Sequence, residues 1–303
     1  MRINFKDARS VIDKHMLADG MSPIIDLERS HGSWLVDGVT GKEYLDLFSM
    51  YASMSVGYNH PYVLDNIDRL TRAAINKPAN SDIYSPQMAE FVDTVGRVAQ
   101  PSYLPYAFFI EGGGLAVENA LKAAFDWKAK KNMSQGKSAP KNLVIHLKDC
   151  FHGRTGYTMS LTDSPDPRKV QHFPKFNWPR ITNPSIKFPL NEKSLDEVDA
   201  LEQKSISQIK QILTDNTDDV ACLILEPIQG EGGDNHFRDE YLHILKQLSN
   251  DNDFLLIFDE VQTGIGITGK MWAHEHQEVI PDVMSFGKKT QCCGIFAGKR
   301  LDE

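Results

Sequence analysis

Three short apolar runs, each closed by a charged residue, constrain this chain more than any other feature. Val220 to Leu225 leads into Glu226-Pro227. Phe254 to Phe258 leads into Asp259-Glu260-Val261-Gln262. Asp282-Val283-Met284-Ser285-Phe286-Gly287 delivers Lys288, with Lys289 and Thr290 behind it. Such runs read as strands buried on both faces, the habit of parallel sheets. The intervals between the three charged ends are 33 and 29 residues (259 − 226 and 288 − 259). Each can hold a crossover helix, and Tyr241, Leu242, Leu245 and Leu248 mark one helix face inside the first. In a parallel sheet the three ends open onto the carboxyl edge, where open α/β folds bind ligands.

The upstream pattern agrees. Phe108-Phe109-Ile110 and the triplet Gly112-Gly113-Gly114 precede Val117, Ala120, Leu121, Ala124 and Trp127, which recur at helical spacing. That predicts a helix over 115–131, followed by a surface loop from Asn132 to Lys141 and a strand from Leu143 to Leu147. Residues 8 to 20 read as a short helix. Residues 24 to 48 alternate like a small antiparallel ribbon, with Asp37-Gly38 and Thr40-Gly41 as turns.

Bulk properties exclude several function classes. A hydrophobic content of 41% over 303 residues supports an ordinary core, in one large domain or two smaller ones. The net charge is −8, and the densest basic cluster, Lys128, Lys130 and Lys131, reads as a solvated helix end rather than a nucleic-acid groove. No apolar stretch approaches the roughly 20 residues that span a bilayer. Cys150, Cys222, Cys292 and Cys293 lack metal-ligand spacing, and the first residues lack an apolar signal core. No metal, no membrane and a cytoplasmic location are the expectations.

A lysine and a buried carboxylate at one sheet edge are what pyridoxal phosphate requires of a protein. Lys288 is the candidate amine, with Lys289 as the alternative. Asp259, closing an apolar run, is the candidate partner of the ring nitrogen; the competing reading is a helix cap. Gly112-Gly113-Gly114 before a helix can cradle a phosphate or form a plain turn. Phe151 can stack on the ring, and Arg154 can clamp a carboxylate. Gln262 can reach the ring oxygen or the substrate. Glu226 and Glu231 flank a glycine-rich loop in which Glu231 can serve as a movable gate or belong to a tight connection.

The motifs Phe109 to Lys122, Phe151-His152-Gly153-Arg154-Thr155-Gly156-Tyr157, Glu226 to Gly233, Phe258 to Gly264 and Phe286 to Gln291 together resemble the class III aminotransferases of pyridoxal-phosphate fold type I. The resemblance covers nearly the whole chain. The Gly-Gly-Gly-Leu-Ala-Val cradle and the Lys-Lys-Thr-Gln segment point to the subgroup acting on the side-chain amine of lysine. The resemblance implies an α/β fold with a mostly parallel sheet. Residues 1–60 would form a helix and ribbon of a small domain, and 61–303 the cofactor-binding large domain. It further implies that Lys288 binds pyridoxal 5'-phosphate and shuttles protons, and that Gly113 and Gly114 hold the phosphate. Phe151 would stack on the ring, Asp259 meet its nitrogen, and Glu226 support the pocket. Arg154 and Gln262 would touch substrate, and Glu231 would be the gate.

The implied reaction moves the ε-amino group of L-lysine to 2-oxoglutarate, giving 2-aminoadipate 6-semialdehyde and L-glutamate in a homodimer. Ornithine and 4-aminobutyrate are the alternative donors. Family members continue well past the lysine into a C-terminal small domain, whereas this sequence stops at Glu303. A truncated, catalytically incompetent fragment is therefore also an expectation.

Overall fold

Residues 3–76 and 82–303 are described by the structure, a computed structural model. Contacts group the chain into two compact units, Met1–Asp93 and Thr94–Glu303.

In the first unit, helix α1 spans Phe5–Asp13. It begins earlier than the periodicity predicts because Asn4 caps it, its side chain accepting from Asp7 N at 3.1 Å. Strands β1 (Trp34–Val36) and β2 (Glu43–Leu45) form the expected antiparallel ribbon, with Trp34 opposite Leu45. Asp37 closes the turn between them, its carboxylate accepting from Ile24 N and Thr40 Oγ1. Four short helices follow: α2 (Ser49–Ala52), α3 (Pro61–Asp65), α4 (Ile67–Ile75) and α5 (Pro86–Val98), the last running into the second unit.

The second unit is built on a seven-stranded sheet. Its strands are β3 (Tyr106–Ile110), β4 (Leu143–Leu147), β5 (Arg180–Ile181), β6 (Val220–Leu225), β9 (Leu255–Asp259), β10 (Val283–Phe286) and β11 (Cys293–Ala297). The small hairpin β7 (Ile228–Gln229) and β8 (Asn235–His236) stands apart from it. The order is β3-β11-β10-β9-β6-β4-β5. Strands β10, β9, β6, β4 and β5 run parallel, and β11 is antiparallel to both its neighbours. The three apolar runs are thus β6, β9 and β10, adjacent and codirectional, as the sequence predicts.

Alternation within a strand sends successive side chains to opposite faces. Cys222 and Ile224 of β6 join Leu255 and Ile257 of β9 under helix α6 (Gly113–Ser134). Ala116, Ala120 and Ala124 carry little bulk, so α6 lies close on the sheet, with Leu121 and Trp127 filling the flanks. Beyond the short helix α7 (Thr158–Leu161), Leu223, Leu225, Leu256 and Phe258 on the other face pack against α8 (Glu192–Asp215) and α9 (Asp239–Asp251). Burying each such side chain contributes about 1.5–3 kcal/mol. Asp282 fixes the register of β9 and β10. Its buried carboxylate accepts from Leu256 N at 2.8 Å and from Lys246 Nζ at 2.6 Å.

Two local expectations change. Helix α6 runs on to Ser134, because Asn132 is buried and donates to Asp218 O at 3.0 Å rather than facing water in a loop. Between Asp259 and Lys288 there is no crossover α-helix. Gly266 (φ +82) and Gly269 (φ +93) break helical geometry. Trp272 fills that space instead, donating from Nε1 to Ala99 O at 2.7 Å and packing on Phe286 and Phe296.

Candidate active site

The carboxyl ends of β4, β6, β9 and β10 and the start of α6 enclose a cavity of about 230 Å³. Gly113, Gly114, Phe151, Glu226, Asp259, Gln262 and Lys288 all line it. These seven sequence-predicted residues are brought together from five separate stretches of chain.

Hydrogen bonds run across this edge from strand to strand. Glu226 Oε1 accepts from Phe151 N at 2.8 Å, tying the end of β6 to the loop after β4. Asp259 Oδ2 pairs with His152 Nδ1 at 2.8 Å, tying β9 to the same loop. Asp259 Oδ1 accepts from Ser285 Oγ at 2.9 Å and from Val261 N at 3.1 Å, adding β10 and the β9 exit. Lys288 Nζ donates to Gln262 Oε1 at 2.6 Å.

Burial governs the electrostatics. The Glu226 carboxyl is raised to about 7, because it is desolvated and lies near Asp259; the His152 charge opposes this. His152 is buried, which by itself would lower its basicity. The Cys150 and Asp259 side chains beside it reverse the sign and hold the imidazole well above its usual range. Burial lowers the Lys288 amine below the ordinary lysine value, while Asp259, Glu226 and Glu231 pull it back.

The residues present fit pyridoxal phosphate. No side chain caps the N-terminus of α6, so its first-turn N–H groups remain available beside the cavity for a phosphate. A Cβ on Gly113 would meet Val261 Cγ1 at 2.8 Å, and one on Gly153 (φ +115) would meet Gly114 Cα at 3.0 Å. Backbone, not side chains, therefore forms this wall. An amine and a buried carboxylate complete the set.

Arg154 and Glu231 do not line the cavity. Arg154 is exposed, with its guanidinium 5.7 Å from the centroid of the Phe151 ring. Glu231 is exposed and pairs with Lys169 at 3.7 Å, yet its charge still reaches Lys288. His152 and Ser285 join the site without being among the expected residues. His152 had one available signal, a polar side chain between Phe151 and Arg154 just past a buried strand. Among the described residues no group of three or more His, Cys, Asp or Glu side chains could hold a metal ion, and no helix is long and apolar enough to cross a membrane.

Comparison with known proteins now bears on this geometry. The class III aminotransferase family model matches residues 16–301, and the chain belongs to that family. It is 49% identical over 297 residues to the L-lysine-epsilon aminotransferase of Mycobacterium tuberculosis, covering 97% of this chain and 65% of that protein. The enzyme of the same name from Amycolatopsis lactamdurans is 46% identical over 301 residues, covering 98% of this chain and 66% of that one. The chain thus spans just under two thirds of the length of these relatives. The solved lysine aminotransferase from M. tuberculosis in the internal aldimine form superposes with a TM-score of 0.95 at 48% identity, over 99% of this chain and 69% of that one. The fold is that of the pyridoxal-phosphate fold type I aminotransferases.

Proposed function

We propose that this chain carries the cofactor pocket of an aminotransferase that transfers the ε-amino group of L-lysine to 2-oxoglutarate, using pyridoxal 5'-phosphate. The observation that carries the reading is the convergence of Lys288, Asp259 and the uncapped start of α6 on one cavity. The relatives' names supply the donor.

Bound pyridoxal phosphate supplies an aldehyde that captures amines and a protonated ring that draws electrons from the captured amine. The protein's residues have separate tasks. Gly113 and Gly114 offer backbone N–H groups to the phosphate. Asp259 holds the ring proton; the His152, Ser285 and Val261 contacts fix its carboxylate so that it need not reorganise. Phe151 covers one ring face. Lys288 takes and returns a proton at Nζ, and its burial makes the free amine more accessible near neutral pH. Glu226, held by two backbone N–H groups, keeps the β4 and β6 loops in register. Gln262 contacts the ring oxygen or the substrate. Arg154, at the rim beside Phe151, receives a substrate carboxylate, and Glu231 is the gate that shields an arginine while lysine reacts and releases it for 2-oxoglutarate.

A cytoplasmic homodimer in which residues 1–60 contribute to a small domain and 61–303 form the large one belongs to the same proposal. Purified protein given pyridoxal phosphate, 2-oxoglutarate and one of lysine, ornithine or 4-aminobutyrate should form glutamate fastest from lysine. Faster glutamate formation from ornithine or 4-aminobutyrate overturns the donor assignment. Visible absorbance on adding pyridoxal phosphate, present in the unmodified chain and lost in Lys288→Ala, tests the pocket itself.

A further inference from the structure

Lys289 has no task in the scheme above, yet it is as constrained as Lys288. Consecutive residues of an extended strand point to opposite sides. Lys288 and Lys289 instead lie in a 3-10 turn, Lys288–Thr290, entered through Gly287, with Lys288 itself at φ +53. Gln291 Nε2 closes the turn onto Lys288 O at 2.9 Å, and Thr290 Oγ1 onto Cys292 O at 2.6 Å. The left-handed residue turns both amines toward Gln262. Lys288 Nζ donates to its side-chain Oε1 at 2.6 Å, and Lys289 Nζ to its backbone O, also at 2.6 Å. A third hold comes from the loop carrying Glu231: a Cβ on Gly230 would fall 2.3 Å from Gln262 Nε2, so the amide sits against that backbone.

We propose that Lys289 is a positioning residue for the proposed reaction: it anchors the Gln262 backbone while Lys288 holds the Gln262 side chain, and the two amines are electrostatically coupled across that shared anchor. The inference rests on the reading of the pocket given above. Its consequence is a division of labour. When Lys288 engages the cofactor aldehyde it leaves Gln262 Oε1, and Lys289 keeps Gln262 in place, its amide then free to meet the ring oxygen or the substrate.

The coupling follows from charge and burial. Lys289 is lowered to about 8 by burial and by the Lys288 charge, against the pull of Glu260. Repulsion between two ammonium groups is mutual, so a charged Lys289 favours the neutral form of Lys288, against the pull of Asp259, Glu226 and Glu231. Titration of either lysine therefore reports on the other.

The test is made on the protein free of cofactor. Each lysine is acylated with acetic anhydride across the neutral and alkaline range, and the labelled peptides are quantified by mass spectrometry. In Lys289→Met the labelling midpoint of Lys288 should rise, cutting its labelling at neutral pH by roughly threefold to tenfold, the factor produced by about half to one pH unit. In Lys288→Ala the midpoint of Lys289 should rise by a matching amount. Lys289→Arg keeps charge and donor and should leave Lys288 close to the unmodified chain; it also serves as the variant of record if the methionine chain does not fold. In that case an unmoved Lys289 in Lys288→Ala still overturns the coupling. Unchanged Lys288 labelling in folded Lys289→Met overturns it directly. Visible absorbance with pyridoxal phosphate is read separately. If it is absent from the unmodified chain, the pocket reading fails; if it is present while the midpoints stay fixed, only this inference fails.

Discussion

Replacing Glu226 by glutamine should flatten the pH dependence of stability across the weakly acidic range. Glu226 is buried and its carboxyl is raised from an ordinary 4.5 to about 7. A carboxyl whose folded-state value is raised favours the fold only in its neutral form. Below about 4.5 it is protonated in the folded and unfolded chains alike and contributes nothing. Above about 7 the folded chain bears the full cost of a charge that the unfolded chain holds freely in water. A rise of this size, at about 1.4 kcal/mol per pH unit, is a penalty on the order of 3 kcal/mol. The glutamine keeps an acceptor for Phe151 N but turns an NH₂ toward Gly230 N, which the carboxylate now accepts at 3.3 Å. That mismatch costs about 1–3 kcal/mol at every pH and does not affect the slope. The assay is urea unfolding of the cofactor-free protein, followed by tryptophan fluorescence at closely spaced pH values. The stability of the variant relative to the parent should climb by about 3 kcal/mol between pH ~4.5 and ~7 and then level off. Parallel curves over that interval would refute the argument that burial keeps this acid neutral.

Three further outcomes are expected. Asp259→Asn removes the buried carboxylate that raises His152 above its ordinary value and should cost about 3–5 kcal/mol in urea unfolding at neutral pH. Phe258→Ala empties a fully buried position between β9 and the α8–α9 layer and should cost about 3–5 kcal/mol by thermal denaturation. Gly113→Ala sets a methyl group 2.8 Å from Val261 Cγ1 inside the proposed phosphate cradle. It should weaken pyridoxal phosphate binding, measured by absorbance titration, and displacing Val261 should cost about 1–3 kcal/mol in thermal denaturation.

The strands were legible because each carries its own evidence of burial. Val220 to Leu225, Phe254 to Phe258 and Val283 to Phe286 are almost wholly apolar and buried on both faces, so no neighbouring element is needed to recognise them. Helix α6 announced itself through the spacing of Val117, Ala120, Leu121, Ala124 and Trp127. The residues at the ends of these elements then reach a common edge by parallel topology, which is why seven candidates meet in one cavity. The segment between Asp259 and Lys288 was not legible, since its length permits a helix, and the left-handed Gly266 and Gly269 together with the packing of Trp272 take its place.

By itself, then, the amino-acid order determined which residues stand at strand ends and which helix begins in glycine, because backbone periodicity and burial are local properties. Strand order decided the rest. His152 and Asp259 are 107 positions apart and bond only because β4, β6 and β9 lie side by side. Glu226 becomes a weak acid only once the fold has taken water away from it. Charge states and hydrogen-bond partners depend on what surrounds a group in space, and local sequence does not carry that information.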